Sequence, residues 1–148
     1  MTILKVKDLA VSLQTDKRTW LQVLDNINFE VRQGEVLGIV GESGCGKSIT
    51  ALSVMRLISN AGGRYDGGSI SFMDKDILKI SETQMRNIRG NRISMIFQDP
   101  MSSLNPVFTI GNQLLEVIKL HQKMGHREAW EVGCQMLKLV GITDPEEN

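Results

Sequence analysis

Apolar and polar residues alternate loosely over residues 4–13 and again over residues 20–31, a period near two that predicts two half-buried strands. The polar run at residues 14–18 predicts a turn between them, and Arg32-Gln33-Gly34-Glu35 predicts a second turn. Residues 36–40 drop the alternation. Val36, Leu37, Ile39 and Val40 make a nearly continuous apolar run, as expected of a strand covered on both faces in a parallel sheet. A glycine-rich stretch follows, and residues 48–58 then take helical spacing with Ala51, Leu52, Met55 and Ile58 on one side. The predicted order is strand, loop, helix.

Residues 60–68 are rich in glycine and predict a surface excursion, with a short strand over residues 69–72. Ser81-Glu82-Thr83-Gln84 fits the S-x-x-Q capping box, and Gly90 stands where a helix ending at Arg89 needs a left-handed residue. Residues 93–97 predict a second buried strand opening into residues 98–106, where Pro100 and Pro106 exclude regular helix and central strand. Two amphipathic helices follow. Residues 110–124 align Leu114, Leu115 and Ile118, and residues 127–140 align Trp130, Gly133 or Cys134, Leu137 and Val140. They predict a hairpin joined near Gly125, with Gly141 closing the second helix and a polar end over residues 144–148.

Composition narrows the partners. Lysine and arginine total 17 against 17 aspartates and glutamates, so no basic field favours nucleic acid or an anionic membrane surface. Cys45 and Cys134 form no CxxC pair, which disfavours a disulfide framework or a structural zinc and suits a reducing compartment. No run approaches the ~20 apolar residues of a membrane span, and the first ten residues lack the apolar centre of a signal peptide. The expectation is a soluble, cytoplasmic protein.

Gly41, Gly46, Lys47 and Ser48 complete the pattern G-x-x-x-x-G-K-S between the predicted strand and helix, the context that a phosphate-binding loop requires. Glycines at 41, 44 and 46 permit dihedrals that side chains forbid, so amides from about Gly44 to Ser48 can converge on phosphate oxygens. The helix start adds positive dipole, the Lys47 ammonium can reach β and γ phosphates, and the Ser48 hydroxyl can ligate magnesium (Mg2+). Candidate nucleotide-binding residues are therefore Gly41, Glu42, Ser43, Gly44, Cys45, Gly46, Lys47, Ser48 and Ile49. The bland alternative is a glycine-rich turn with a chance lysine; the complete motif in its flanks weighs against it. Cys45 reads as a spacer rather than a redox centre.

A loop of this kind leaves many phosphate chemistries open. The segment Ile96-Phe97-Gln98-Asp99-Pro100, continuing through Ser103-Leu104-Asn105-Pro106, narrows them. With Leu24-Asp25-Asn26-Ile27-Asn28-Phe29, Gly38-Ile39-Val40-Gly41-Glu42-Ser43-Gly44, Gly68-Ser69-Ile70-Ser71-Phe72 and Ile88-Arg89-Gly90, it resembles the ATP-binding subunits of ABC transporters, and more narrowly those of dipeptide, oligopeptide and nickel importers. The resemblance covers essentially the whole chain. It implies an α/β fold: a partial P-loop NTPase core with an N-terminal antiparallel β subdomain over residues 1–108, and the start of an ABC helical subdomain over residues 109–148.

By the same resemblance ATP is the ligand with magnesium, and Lys47 and Gln98 act in catalysis. Gln98 contacts the metal, as Ser48 does, and the attacking water. The implied partners are a second ATP-binding subunit and membrane permease subunits reached through the Gln98 loop, at the cytoplasmic face of the cell membrane, without nucleic acid. A neutral amide both donates to and accepts from water, which suits the role given to Gln98. A competing reading makes residues 93–97 and Asp99 a metal-binding strand end; the intervening Gln98 and the lack of a following glutamate count against it. The family often stacks an aromatic residue on the base where this chain has Leu13, with Trp20 nearby.

The family's LSGGQ-type signature, its aspartate-glutamate strand end and its switch histidine have no counterpart, and His121 and His126 read as solvated. The chain ends just before the signature is due, so the expectation is that it binds MgATP but hydrolyses it poorly, with apolar sheet edges uncovered. The full-length protein would be a transport ATPase. Other readings are a P-loop metabolite kinase, which scattered arginines do not favour, and a non-catalytic nucleotide-binding module.

Overall fold

The computed structural model describes residues 1–16, 19–99 and 103–145, with Asn60 and Ala61 as backbone. The chain forms two compact units, Met1–Arg86 and Asn87–Asn148. The first is built on a sheet of order β2-β1-β3-β4, in which β1 (Thr2–Asp16) pairs antiparallel with both β2 (Thr19–Arg32) and β3 (Gly63–Phe72), and the two-residue β4 (Lys75–Asp76) edges β3. Val6, Leu9, Val11, Leu24 and Ile70 are buried. Each such side chain contributes roughly 1.5–3 kcal/mol relative to exposure.

The slip in the alternation of residues 4–13 is a bulge in the central strand. Val6 faces Phe29 but Leu9 faces Ile27, and Lys7 faces Ser69 but Ala10 faces Gly67. The extra residue is Asp8, left-handed at φ 50°, whose amide donates to Asn28 Oδ1 at 2.9 Å. The bulge lets Val6 and Leu9 both face inward.

Two expectations of turns give way to strand. Residues 14–16 continue β1, because Gln14 pairs with Trp20 and Asp16 with Thr19; Lys17 and Arg18 lie outside the described residues. The glycine-rich excursion expected at residues 60–68 is largely β3, which opposes Gly63 to Leu13 and Gly67 to Ala10. Glycine without a side chain is what this pairing needs at 63, where a Cβ would lie 2.6 Å from Ile58 and 2.9 Å from its carbonyl oxygen.

The two apolar runs expected as buried strands stand in no ladder. Val36 and Val40 are 96% and 95% exposed, and residues 93–97 have one isolated bridge, Arg89 to Ile93, with Ile96 92% exposed. A strand of this composition needs a neighbour on each edge and a layer on each face. Among the described residues none pairs with residues 36–40.

Helix α1 (Lys47–Val54) is shorter than its spacing suggests and buries Thr50, Ser53 and Val54, whereas Ala51 and Leu52 are half-buried. Arg56 explains the early stop. It is left-handed at φ 52°, and the Leu57 and Arg56 amides donate back to the Leu52 and Ser53 carbonyls at 2.9 and 3.0 Å, a Schellman closure without glycine. The Arg56 Nη1 donates to the carbonyls of Ile77 and Ile80 at 3.0 and 2.9 Å, and Nη2 lies 3.8 Å from Glu82. The chain beyond β4 is thus stapled to the end of α1. Arg56→Ala is expected to cost about 2–3 kcal/mol in urea unfolding, from bonds made by a charged donor. Arg56→Gly should recover about 1 kcal/mol of that by relieving the left-handed backbone; equal losses in the two variants would refute the strain half of this account.

Helix α2 (Glu82–Ile88) starts as its sequence predicts, with Ser81 Oγ accepting from the Gln84 amide and Gln84 Oε1 from the Ser81 amide. Gly90 has φ 76°. In the second unit α3 (Ile110–Gln122) and α4 (His126–Leu139) form the expected hairpin, burying Leu115, Ala129, Gly133 and Cys134. Pro145 is buried in the apolar crevice it lines with Leu114, Trp130 and Leu137. Lys123, left-handed at φ 53°, caps α3, which ends at Gln122, two residues before the expected Met124. Val140, expected on the inner face, is 74% exposed because it is already the C-cap, with Gly141 closing the helix at φ 85°.

Candidate functional site

The loop between the bare apolar run and α1 has its shape from close approaches at two glycines and a left-handed turn at a third. A Cβ on Gly41 would lie 2.5 Å from Cys45 Sγ, so the loop folds onto itself there. Gly46 is buried at φ 96°, and a Cβ there would lie 2.7 Å from Leu24 Cδ2 and 3.3 Å from the Val23 carbonyl oxygen. Gly44 takes φ 83° with open space around it. The loop therefore rests on β2 at Gly46 and turns outward at Gly44.

Gly46 is also the N-cap of α1, and no side chain caps the helix or places an acid in its first turn. Thr50 reinforces the start, its amide and hydroxyl both donating to the Gly46 carbonyl at 2.8 and 3.0 Å. The amides at this end and the positive dipole are thus left to an anion. Lys47 bends back over the same loop: its ammonium donates to the carbonyls of Gly41 at 2.8 Å and Glu42 at 2.6 Å, and sits 3.4 Å from Cys45 Sγ. Two neutral carbonyls hold it there, and an anionic oxygen outcompetes neutral acceptors for an ammonium. Ser48 is exposed at the first turn and Ile49 is half-buried behind it.

Residues 41–49 are thus one continuous feature of the first unit, whose donor set fits a polyphosphate. The hydroxyl of Ser48 fits magnesium in the manner usual for that ion, bound through one or two protein oxygens plus phosphate. Among the described residues no group of three His, Cys, Asp or Glu is placed to hold a metal. Gln98 belongs to the second unit and is exposed at the end of the extended run 93–97; of its block, Pro100, Met101 and Ser102 lie outside the described residues.

Leu13 is half-buried and pairs with Leu21 and Gly63. The Trp20 ring carries the Arg64 guanidinium 4.2 Å from its centroid. Ser12 and Arg64 both donate to Asp66; the Ser12 bond, outweighing an opposing desolvation and aided by Arg64, holds that carboxyl below its usual range. Sequence reading missed Leu24 and Val23 as the floor under Gly46. Their signal was an apolar residue on a neighbouring strand, which periodicity assigns to the core without saying what lies on it.

A family model described as ABC transporter matches residues 24–147. A probable peptide ABC transporter ATP-binding protein of Sinorhizobium fredii is 48% identical over 144 residues, 97% of this chain and 43% of the relative. An oligopeptide and a dipeptide transport ATP-binding protein of Bacillus subtilis are 45% and 46% identical, each over 98% of this chain and 40% and 43% of their own lengths. The chain therefore spans about two fifths of these relatives. Among solved structures, the dimeric post-hydrolysis ATP-binding cassette MJ0796 with ADP and Pi matches at TM-score 0.79 and 19% identity, over 96% of this chain and 59% of that one. That likeness establishes the fold, the α/β architecture of an ATP-binding cassette.

Proposed function

This chain belongs to the ABC transporter family, and from that premise we propose that it carries the nucleotide-binding portion of an ATPase subunit that powers peptide import. The observation that supports this most directly is the concurrence at one loop of three anion-seeking features: the uncapped start of α1, the open space at Gly44, and the Lys47 ammonium. ATP would lie with its phosphates along residues 41–49, and Ser48 and Gln98 are the residues that would hold magnesium. The Gln98 amide would also orient the attacking water. When bound, the metal neutralises charge that develops on the phosphates.

Residues 1–108 supply this nucleotide site and the Gln98 loop, and residues 109–148 begin the helical subdomain. The subunit works as a pair with a second ATP-binding subunit, and docks on permease subunits through the Gln98 region at the cytoplasmic face of the membrane. No helix among the described residues is long and apolar enough to cross a membrane. The names of the relatives favour peptide as cargo over nickel.

Hydrolysis by these residues alone is slow, because they include neither an LSGGQ-type segment nor the family's aspartate-glutamate strand end, leaving positioning without general-base help. Titration with MgATP, followed by a phosphate-release assay on the same sample, tests both parts. Saturable binding with turnover near background is expected. Turnover at a rate typical of transport ATPases would overturn the second part, and absence of saturable binding would overturn the first.

A further inference from the structure

One carbonyl at the start of α1 carries two bonds from the same residue. The Gly46 carbonyl accepts from the Thr50 amide at 2.8 Å, the first rung of the helix, and from Thr50 Oγ1 at 3.0 Å, so both of its lone pairs are used. Thr50 is only 5% exposed. Ser53, three residues on and fully buried, makes the same kind of bond, its Oγ donating to the Ile49 carbonyl at 2.7 Å. A hydroxyl bonded to the carbonyl four residues back slightly destabilises the helix that carries it. Helix stability therefore gives no reason for a threonine at 50.

What the second bond fixes is a peptide plane. The unit linking Gly46 to Lys47 is planar and trans, so its C=O and N–H point in opposite directions. With the carbonyl held along the helix, the Lys47 N–H points off the helix start as one of its orphan donors. Gly46 stands at φ 96° and ψ 0°, and without a Cβ it resists rotation of that plane weakly. We infer that Thr50 is a positioning residue for phosphate: its hydroxyl, added to its amide on the Gly46 carbonyl, keeps the Lys47 amide aimed at the anion. The inference rests on the reading of residues 41–49 as the nucleotide site. Being buried, Thr50 acts through the Gly46–Lys47 peptide and not by contact with phosphate.

A purely structural role predicts a different outcome from a positioning one. In Thr50→Val the Gly46 carbonyl keeps its amide donor, no buried polar atom is orphaned and a methyl replaces a buried hydroxyl, so stability should hold or rise. Phosphate affinity should nonetheless fall.

Isothermal titration with MgATP and with magnesium tripolyphosphate, alongside thermal unfolding, tests this on the wild type, Thr50→Val, Thr50→Ser and Ser53→Ala. Thr50→Val is expected to unfold at or above the wild-type midpoint and yet to bind both ligands more than twofold more weakly, about three- to tenfold for one neutral hydrogen bond. Thr50→Ser, which restores the hydroxyl, and Ser53→Ala, which removes the bond one step further along, should both bind within twofold of wild type. If the valine variant does not fold, Thr50→Ala decides by the same criterion. Binding within twofold of wild type in Thr50→Val overturns the inference, as does an equal loss in Thr50→Ser or Ser53→Ala. A wild type that binds neither ligand saturably overturns the nucleotide reading and this inference with it.

Discussion

Gly68→Ala is expected to cost about 3 kcal/mol or more in urea unfolding, whereas Gly67→Ala one residue away should be near neutral. Gly68 sits in β3 at φ 87°, opposite the Asp8 bulge, and a Cβ there would lie 2.5 Å from the Asp8 carbonyl oxygen and 2.6 Å from both the Asp8 carbonyl carbon and Leu9 Cα. All three are backbone atoms of the central strand, so no side chain can swing aside. Left-handed backbone for an L residue costs roughly 1–2 kcal/mol, and forcing atoms into a filled site typically adds about 1–3 kcal/mol. Gly67 has no atom within 4 Å of the same hypothetical Cβ. Against a total domain stability of about 5–15 kcal/mol, the loss at 68 shifts the unfolding midpoint markedly. A loss below 1 kcal/mol would mean that the bulge can relax away from β3.

The same bulge shows what the sequence discloses and what it withholds. The change of phase between Val6 and Leu9 is visible as a lapse in alternation, but only pairing to Phe29 and Ile27 on one side, and Ser69 and Gly67 on the other, makes it an inserted Asp8. Capping at Ser81 and Gln84 and closure at Gly141 were legible because they are local chemistry, decided within a few residues. The stop of α1 was not: an arginine in a left-handed conformation has no propensity to announce it, and its cause lies at Ile77 and Ile80. Residues 63–68 misled in the opposite sense, since Gly63 and Gly68 stand within a strand where neighbouring chain leaves no room for a Cβ, rather than in a loop. Residues 36–40 and 93–97 were read by composition as buried, and composition records the environment a segment is suited to, which its described neighbours do not supply.

At the proposed nucleotide site the motif was legible in the sequence and its geometry was not. The spacing of Gly41, Gly46, Lys47 and Ser48 is itself the chemistry, because amides at successive positions are what surround a phosphate. That the Lys47 ammonium rests on the Gly41 and Glu42 carbonyls could not be read from spacing. It matters for interpreting any substitution there, since the lysine has two roles: it holds the loop and it offers a charge.

Lys47→Ala is therefore expected to weaken MgATP binding by about 30- to 150-fold, from the ~2–3 kcal/mol of a charge-assisted bond to phosphate, and Lys47→Gln separates the two roles. Glutamine retains a donor for the loop carbonyls but brings no charge. If the ammonium acts on the phosphates, Gln and Ala weaken ATP binding comparably, and the loss shrinks in high salt as the exposed charge is screened. If the lysine served only to hold the loop, Gln would bind nearly as wild type. Adenosine supplies the control, because it has no phosphate to lose and should bind all three proteins alike. Isothermal titration with ATP, ADP and adenosine at two salt concentrations resolves these outcomes. An ATP affinity unchanged in Lys47→Ala would remove the ammonium from the site altogether and leave the helix start and the glycine amides as the whole basis of phosphate recognition.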